Sequence, residues 1–201
     1  ITALTRDGEG WLLDSRETGL IQTRYDAVLL AVPAPQAEPL LQPIAPDLAA
    51  IAGAAVMRGS WALMLRYNVR PDLPFDAAFV NHGALRWIAR DSSKPGRDGA
   101  ETWLLHATAE WSEAHIEDSA DSVAATLLAE FARLGGPAPA AWTAHRWRYA
   151  DSAPALDHQC IWDAKRSLGL CGDWLNGGKV EGAWLAGRKL GQRVTTAFAP
   201  D

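Results

Sequence analysis

Cysteine is scarce in this 201-residue chain, which has two, Cys160 and Cys171. Two thiols are too few for a secreted disulfide scaffold, and their spacing fits neither a zinc site nor a redox pair, so both are expected to be buried thiols. Long apolar runs are missing as well; none approaches the roughly 20 residues that a bilayer span needs. The first residues carry no signal-peptide pattern, and the cytoplasm is the expected compartment. No basic cluster offsets the formal charge of −5, which removes nucleic acid and anionic membrane from the expected partners. His106 and His115 with Glu110 and Glu113, like His158 with Cys160 and Asp163, match no standard ligand spacing, so no metal is expected. The sequence has no internal repeat and no low-complexity tract.

Hydrophobic residues make up 48% of the chain, which is ample for a core, and ten residues are Trp. Most Trp side chains are expected in the core or an interface, leaving a few for a flat wall beside an aromatic ligand. The chain opens at Ile1 within a strand-like pattern, as expected of part of a longer protein.

Turn signals at Asp7-Gly8 and Thr18-Gly19 separate Ile1–Arg6, Trp11–Ser15 and Leu20–Tyr25, which predicts a three-stranded antiparallel meander. The continuous apolar run from Ala27 to Val32, stopped by Pro33 and Pro35, has the character of a parallel strand covered on both faces. Short helices are expected at Gln36–Leu41 and Pro46–Ala54. Ser60–Tyr67, Ala77–Val80, Leu85–Ala89 and Thr102–Ala109 then read as an antiparallel sheet. Glu117–Leu134 is an amphipathic helix with Val123, Leu127, Leu128, Phe131 and Leu134 on one face, ended by Gly135-Gly136-Pro137. Ala141–Tyr149 is again a strand, and a polar stretch returns the chain to an apolar strand at Leu168. The order implies an α/β domain interrupted by an antiparallel one, with boundaries at 1–55, 56–165 and 166–201.

The stretch Leu170-Cys171-Gly172-Asp173-Trp174-Leu175-Asn176-Gly177-Gly178-Lys179-Val180-Glu181-Gly182-Ala183 reads as a strand, a glycine turn and the opening of a helix that runs to about Phe198. The unpaired N–H groups of that helix, roughly Val180 to Ala183, are placed to meet negative charge beyond the strand end, and Gly182 has no side chain to block the approach. Ala183, Gly187 and Gly191 recur every four residues, a narrow stripe suited to close packing on a sheet or a flat cofactor. A phosphate-binding loop is rejected: Gly177 is followed by Gly178 where that motif needs Lys, and Val180 stands where it needs Ser or Thr. An ordinary strand-turn-helix connection remains the alternative.

Three strings together resemble the bacterial renalase-like FAD-dependent oxidoreductases, relatives of the flavin amine oxidases. They are Tyr25-Asp26-Ala27-Val28-Leu29-Leu30-Ala31-Val32-Pro33-Ala34-Pro35-Gln36-Ala37, His145-Arg146-Trp147-Arg148-Tyr149-Ala150, and Cys171-Gly172-Asp173-Trp174 through Glu181-Gly182-Ala183. Ala89 to Arg97 is similar to the same subgroup. The resemblance implies an α/β plus α+β fold: a partial FAD/NAD(P)-binding Rossmann-like domain interrupted by an antiparallel-sheet substrate domain. It implies noncovalent FAD contacted at Val32, Pro33, Gly172, Asp173, Glu181, Gly182 and Ala183, with Asp173 accepting from cofactor hydroxyls and the N–H groups near Gly182 and Ala183 facing the charge of the reduced ring. Glu181 fits helix capping equally well. Trp147 is implied as the aromatic wall of a substrate pocket, with His145 and Tyr149 beside it, and no protein side chain is assigned a catalytic role. The implied reaction is hydride transfer from an amine or a dihydronicotinamide-type ring to the flavin, with oxygen as the final acceptor.

Such proteins begin with a strand and a Gly-x-Gly-x-x-Gly turn, and these residues contain no such motif. The expectation is therefore a flavoenzyme or the larger part of one, with the first strand-helix-strand unit outside this chain. The alternative is a non-catalytic fragment that binds a ligand or another protein. Self-association through an exposed sheet edge is expected of either. Arg90, Lys94 and Arg97 read as a solvated hairpin that a phosphate-bearing substrate would also suit.

Overall fold

The Glu9 N–H donates to the Asp7 carboxylate at 2.9 Å and closes the first turn of the chain. In the computed structural model, which describes residues 1–199, strands β1 (Ala3–Asp7) and β2 (Gly10–Ser15) pair antiparallel across that turn, and β3 (Gly19–Tyr25) adds to β2. Strand β4 (Val28–Leu30) and helices α1 (Ala34–Leu41) and α2 (Pro46–Gly53) follow. Pro35 and Pro46 stand in the first turns of these helices, where a missing N–H costs nothing. Next come β5 (Met57–Tyr67), β6 (Ala77–Phe79), β7 (Leu85–Arg90), β8 (Glu101–Ala107), α3 (Ala109–Ala114), α4 (Ala120–Arg133) and β9 (Ala141–Ser152). The chain ends with β10 (Ile161–Asp163), β11 (Leu168–Leu170) and α5 (Val180–Ala197).

These elements form two units, Ile1–Met57 with Ser152–Asp201, and Arg58–Asp151. In the first, β4 pairs in parallel with β11, and β10 adds antiparallel to β11, giving the order β10-β11-β4. One face of this sheet carries Val28, Leu30, Leu168 and Leu170 into a core with α1, α2, Trp11 and Trp174. The other face lies toward α5, where a Cβ at Gly169 would come within 2.8 Å of both Leu190 and Leu29. The expected two-sided cover of the apolar run is thus incomplete, since Leu29 stays 43% exposed. The polar stretch before Leu168 hides β10, which places residues 152–165 with the first unit and not with the antiparallel block, where composition had put them.

The second unit is a five-stranded antiparallel sheet in the order β6-β7-β8-β5-β9. Trp61, Leu63, Leu65 and Tyr67 on β5, with Trp103 and Leu105 on β8, pack on Val123, Leu127 and Phe131 of α4. Two helix starts differ from the sequence expectation because of capping. Thr108 accepts from the Trp111 N–H, so the strand expected to reach Ala109 stops at Ala107 and α3 begins. Ser119 accepts from the Ser122 N–H, so α4 starts at Ala120, and Glu117 instead pairs with Arg146 and Arg148.

Candidate functional site

Two places carry chemistry-bearing residues, one in each unit. In the first unit, β4 and β11 are adjacent parallel strands whose carboxyl ends lie side by side, the position at which open α/β sheets receive ligands. Val32 and Pro33 follow β4, and Gly172 and Asp173 follow β11. The Trp174 indole Nε1 donates to the Val32 carbonyl at 3.1 Å and ties the two ends together. Gly172 is extended, and a Cβ there would approach that indole nitrogen to 2.6 Å, so glycine is required by the seating of Trp174. Asp173 opens a turn of 3-10 helix: one carboxylate oxygen accepts from the Trp174 N–H at 2.9 Å, and its carbonyl accepts from Asn176 and Gly178 at 2.9 Å each. The second carboxylate oxygen has no partner among the described residues.

Gly177 and Gly178, with φ of 80° and 66°, supply the left-handed turn into α5. Lys179 gives that helix no side-chain cap, and Val180 and Glu181 are exposed in its first turn. Three expectations for this helix need correction. The Ala183 N–H is not free, because it donates to the Lys179 carbonyl at 2.9 Å. Gly182 does not leave room for a ligand: the Asn176 carbonyl oxygen occupies the space a Cβ would take, and Asn176 Nδ2 donates to the Gly182 carbonyl at 3.1 Å. The stripe of Gly187 and Gly191 does not pack on the sheet. A Cβ at either meets nothing within 4 Å, and the face that packs is Gly182, Ala186 and Leu190.

In the second unit, strand alternation that sends Trp61, Leu63 and Leu65 to the core turns Ala62, Met64 and Arg66 to the opposite face. They stand directly across from His106, Leu104 and Thr102 on β8. His145 and Trp147 on β9 continue this face, their rings 4.4 Å apart and inclined at 65°. Together with Trp142, and with Asp91, Lys94 and Arg97 from the loop after β7, these residues line a cavity of about 970 Å³. The structure therefore brings His145 and Trp147 together, while Tyr149, further along the same strand, lies outside the lining.

The charges of this cavity are one-sided. Asp91 is bound by Lys94 at 2.7 Å and by Arg97, and Arg66 has no ion pair among the described residues. Burial holds the His106 imidazole below its ordinary value, with the charges of Arg86 and Lys94 pushing the same way. Sequence reasoning missed Arg66, Trp142 and the placement of His106 on this face. The signal available was the alternation of β5, where Ala62, Met64 and Arg66 interleave with large apolar side chains.

No family model matches the sequence. Solved structures do resemble it. A protein from Exiguobacterium sp. 255-15 described as a protoporphyrinogen oxidase matches with a TM-score of 0.73 at 16% identity, over 96% of this chain and 46% of its own. Cyclohexylamine oxidase from Brevibacterium oxydans IH-35A matches with a TM-score of 0.72 at 13% identity, over 98% of this chain and 48% of its own. A putrescine oxidase variant redesigned in its cofactor binding gives 0.67 at 16% identity, with coverage of 98% and 48%. At these identities the likeness is one of fold. The chain has the mixed α/β architecture, with antiparallel sheets, of part of the FAD-binding amine oxidase fold, and it spans about half the length of the structures it matches.

Proposed function

We propose that this chain is part of a FAD-dependent oxidoreductase of renalase-like character, working in the cytoplasm on a small-molecule substrate. The observation that carries the reading is the junction of Val32-Pro33 and Gly172-Asp173 at the ends of two adjacent parallel strands, followed by a helix whose first N–H groups have no side-chain cap. FAD, when bound, supplies the hydride acceptor, with oxygen as its reoxidant. The open oxygen of Asp173 suits a ribityl hydroxyl, and Gly172 suits close backbone approach. Val180 and Glu181 offer the free N–H groups at the helix start, where negative charge is favoured. Gly182 contributes by letting Asn176 hold that turn in shape.

On the substrate side, Trp147, His145 and Trp142 supply an aromatic wall. Arg66, Lys94 and Arg97 against the single carboxylate of Asp91 disfavour a cationic amine, because like charges in a partly desolvated cleft repel. That inventory supports a dihydronicotinamide-type ring carrying a phosphate over an amine. A second reading, a ligand-binding fragment without catalysis, draws support from the fact that every lining residue of this cavity belongs to the second unit. Self-association through the free edge of β4, the last strand of its sheet, belongs to either reading, and a dilution-independent monomer in light scattering would exclude it.

The deciding experiment is a visible absorption spectrum of the purified chain after incubation with FAD and desalting, with tryptophan quenching as a second readout. Retained flavin supports the oxidoreductase. A colourless chain with unquenched tryptophan overturns flavin binding by these residues alone and favours the second reading.

A further inference from the structure

We propose that Cys160 and Cys171 are a modification site: an intramolecular disulfide forms between them when the chain meets a peroxide. The register of β10 on β11 pairs Ile161 with Leu170, Trp162 with Gly169 and Asp163 with Leu168. One step outward sets Cys160 opposite Cys171, a juxtaposition the 11-position separation in sequence does not advertise.

Hydrogen bonding fixes which kind of pair this is. The Cys171 N–H donates to the Leu30 carbonyl on β4 at 3.1 Å, and the Cys160 N–H donates to the His158 carbonyl at 2.7 Å. Neither engages the other residue, so the two stand as a non-hydrogen-bonded antiparallel pair. Cα atoms of such pairs lie about 4.5 Å apart, inside the roughly 4.4–6.8 Å range that a disulfide spans.

Side-chain direction agrees. Cys160 shares a face with Trp162, and Cys171 shares a face with Gly169, which lies under Leu190 of α5. Both thiols accordingly sit in one cluster with Ala186 and Leu190. Both are free and buried, at 2% and 7% exposure. Access comes from the weakness of the edge: β10 is the outer strand of its sheet and only three residues long, so its end opens readily.

The chemistry balances with the peroxide as oxidant. One thiolate attacks the peroxide, an S–O bond forms as the O–O bond breaks, and one water leaves. The second thiolate then attacks that sulfur, the S–S bond forms, the S–O bond breaks and a second water leaves. Two thiols are oxidised and one peroxide is reduced. Burial pushes the Cys171 thiol up, so the reaction quickens as the pH rises above neutral. The product fastens β10 to β11 beneath α5, where Arg193 already donates to the Cys160 carbonyl at 3.3 Å.

The test uses the intact chain, reduced, freed of reductant and exposed to hydrogen peroxide, with thiol titration and intact mass read under denaturing conditions. The expected result is loss of both titratable thiols, a mass lower by two hydrogens, a peptide linking Cys160 to Cys171 and reversal by dithiothreitol. In the folded chain the linked product should form without higher sulfur oxides, because the register sets the second thiol beside the sulfur oxidised first, even though burial makes that first attack slower than in urea. C160S and C171S should each lose the mass change. Two thiols still titratable, a mass raised by whole oxygen atoms, or a chain-to-chain crosslink would overturn the proposal.

Discussion

Trp174 and Val32 are joined by a 3.1 Å hydrogen bond from indole nitrogen to carbonyl oxygen across 142 positions of sequence. The indole is 1% exposed, so the bond is shielded from competing water, and it locks the two strand ends that frame the proposed flavin site. Trp174→Phe keeps most of the ring volume and removes the donor. It should destabilise the chain by about 1–2 kcal/mol, read as a lower urea midpoint with an unchanged slope. Trp174→Ala, which adds a cavity, should cost about 3–5 kcal/mol.

The glycines of α5 separate into two kinds by what surrounds them. At Gly182 an added methyl group collides with the Asn176 carbonyl oxygen, whereas at Gly187 it meets open space. Gly182→Ala should therefore destabilise, by about 1–3 kcal/mol for overpacking against backbone. Gly187→Ala should stabilise by up to about 1 kcal/mol through helix propensity. Thermal unfolding of the two variants checks the opposite signs. A loss of stability at both positions would mean that Gly187 is also packed.

Acid should weaken the second unit at Glu101. Arg90 donates to both carboxylate oxygens at 2.7 and 2.8 Å, and Trp103 Nε1 adds a third bond at 2.9 Å. The Arg90 guanidinium holds the Glu101 carboxyl below the ordinary 4.5, outweighing burial, which raises it. A carboxyl depressed in the folded state binds fewer protons there than in the unfolded chain. Its contribution is thus complete above the ordinary value and is lost as the pH falls through the depressed one. Glu101→Gln should lower stability near neutral pH, and the gap between variant and parent should shrink as pH is taken from about 6 to about 3. Urea midpoints across that range measure it.

Periodicity made much of this fold legible. The meander, the parallel apolar run, the sheet of the second unit and α4 all announce themselves by alternation or helical spacing, because burial on one face enforces it. Strand β10 was not legible: three residues after a polar stretch carry too little pattern, and only pairing with Leu168–Leu170 makes them a strand. At the site, Gly172 and Gly182 stood out for a ligand's sake, yet each is required by a contact within the chain, with Trp174 and with Asn176. Glycine in a sequence reports close approach without saying of what. Arg66 was invisible for a different reason, since its importance lies in lacking a counter-charge among the described residues, a property of three-dimensional neighbours alone.

That missing counter-charge gives the cavity of the second unit a sign that can be measured. Arg66, Lys94 and Arg97 face one carboxylate, Asp91, which Lys94 and Arg97 already occupy. An anionic dihydronicotinamide mononucleotide should quench the tryptophan fluorescence contributed by Trp142 and Trp147, and cyclohexylamine should not. Arg66→Glu reverses the unpaired charge and should weaken the nucleotide by about tenfold or more, equivalent to about 1.4 kcal/mol. Added salt should weaken the parent in the same direction, because exposed charges are screened. Quenching by the amine, unchanged by Arg66→Glu, would show that the face selects cations despite its charges and would return an amine to first place as substrate.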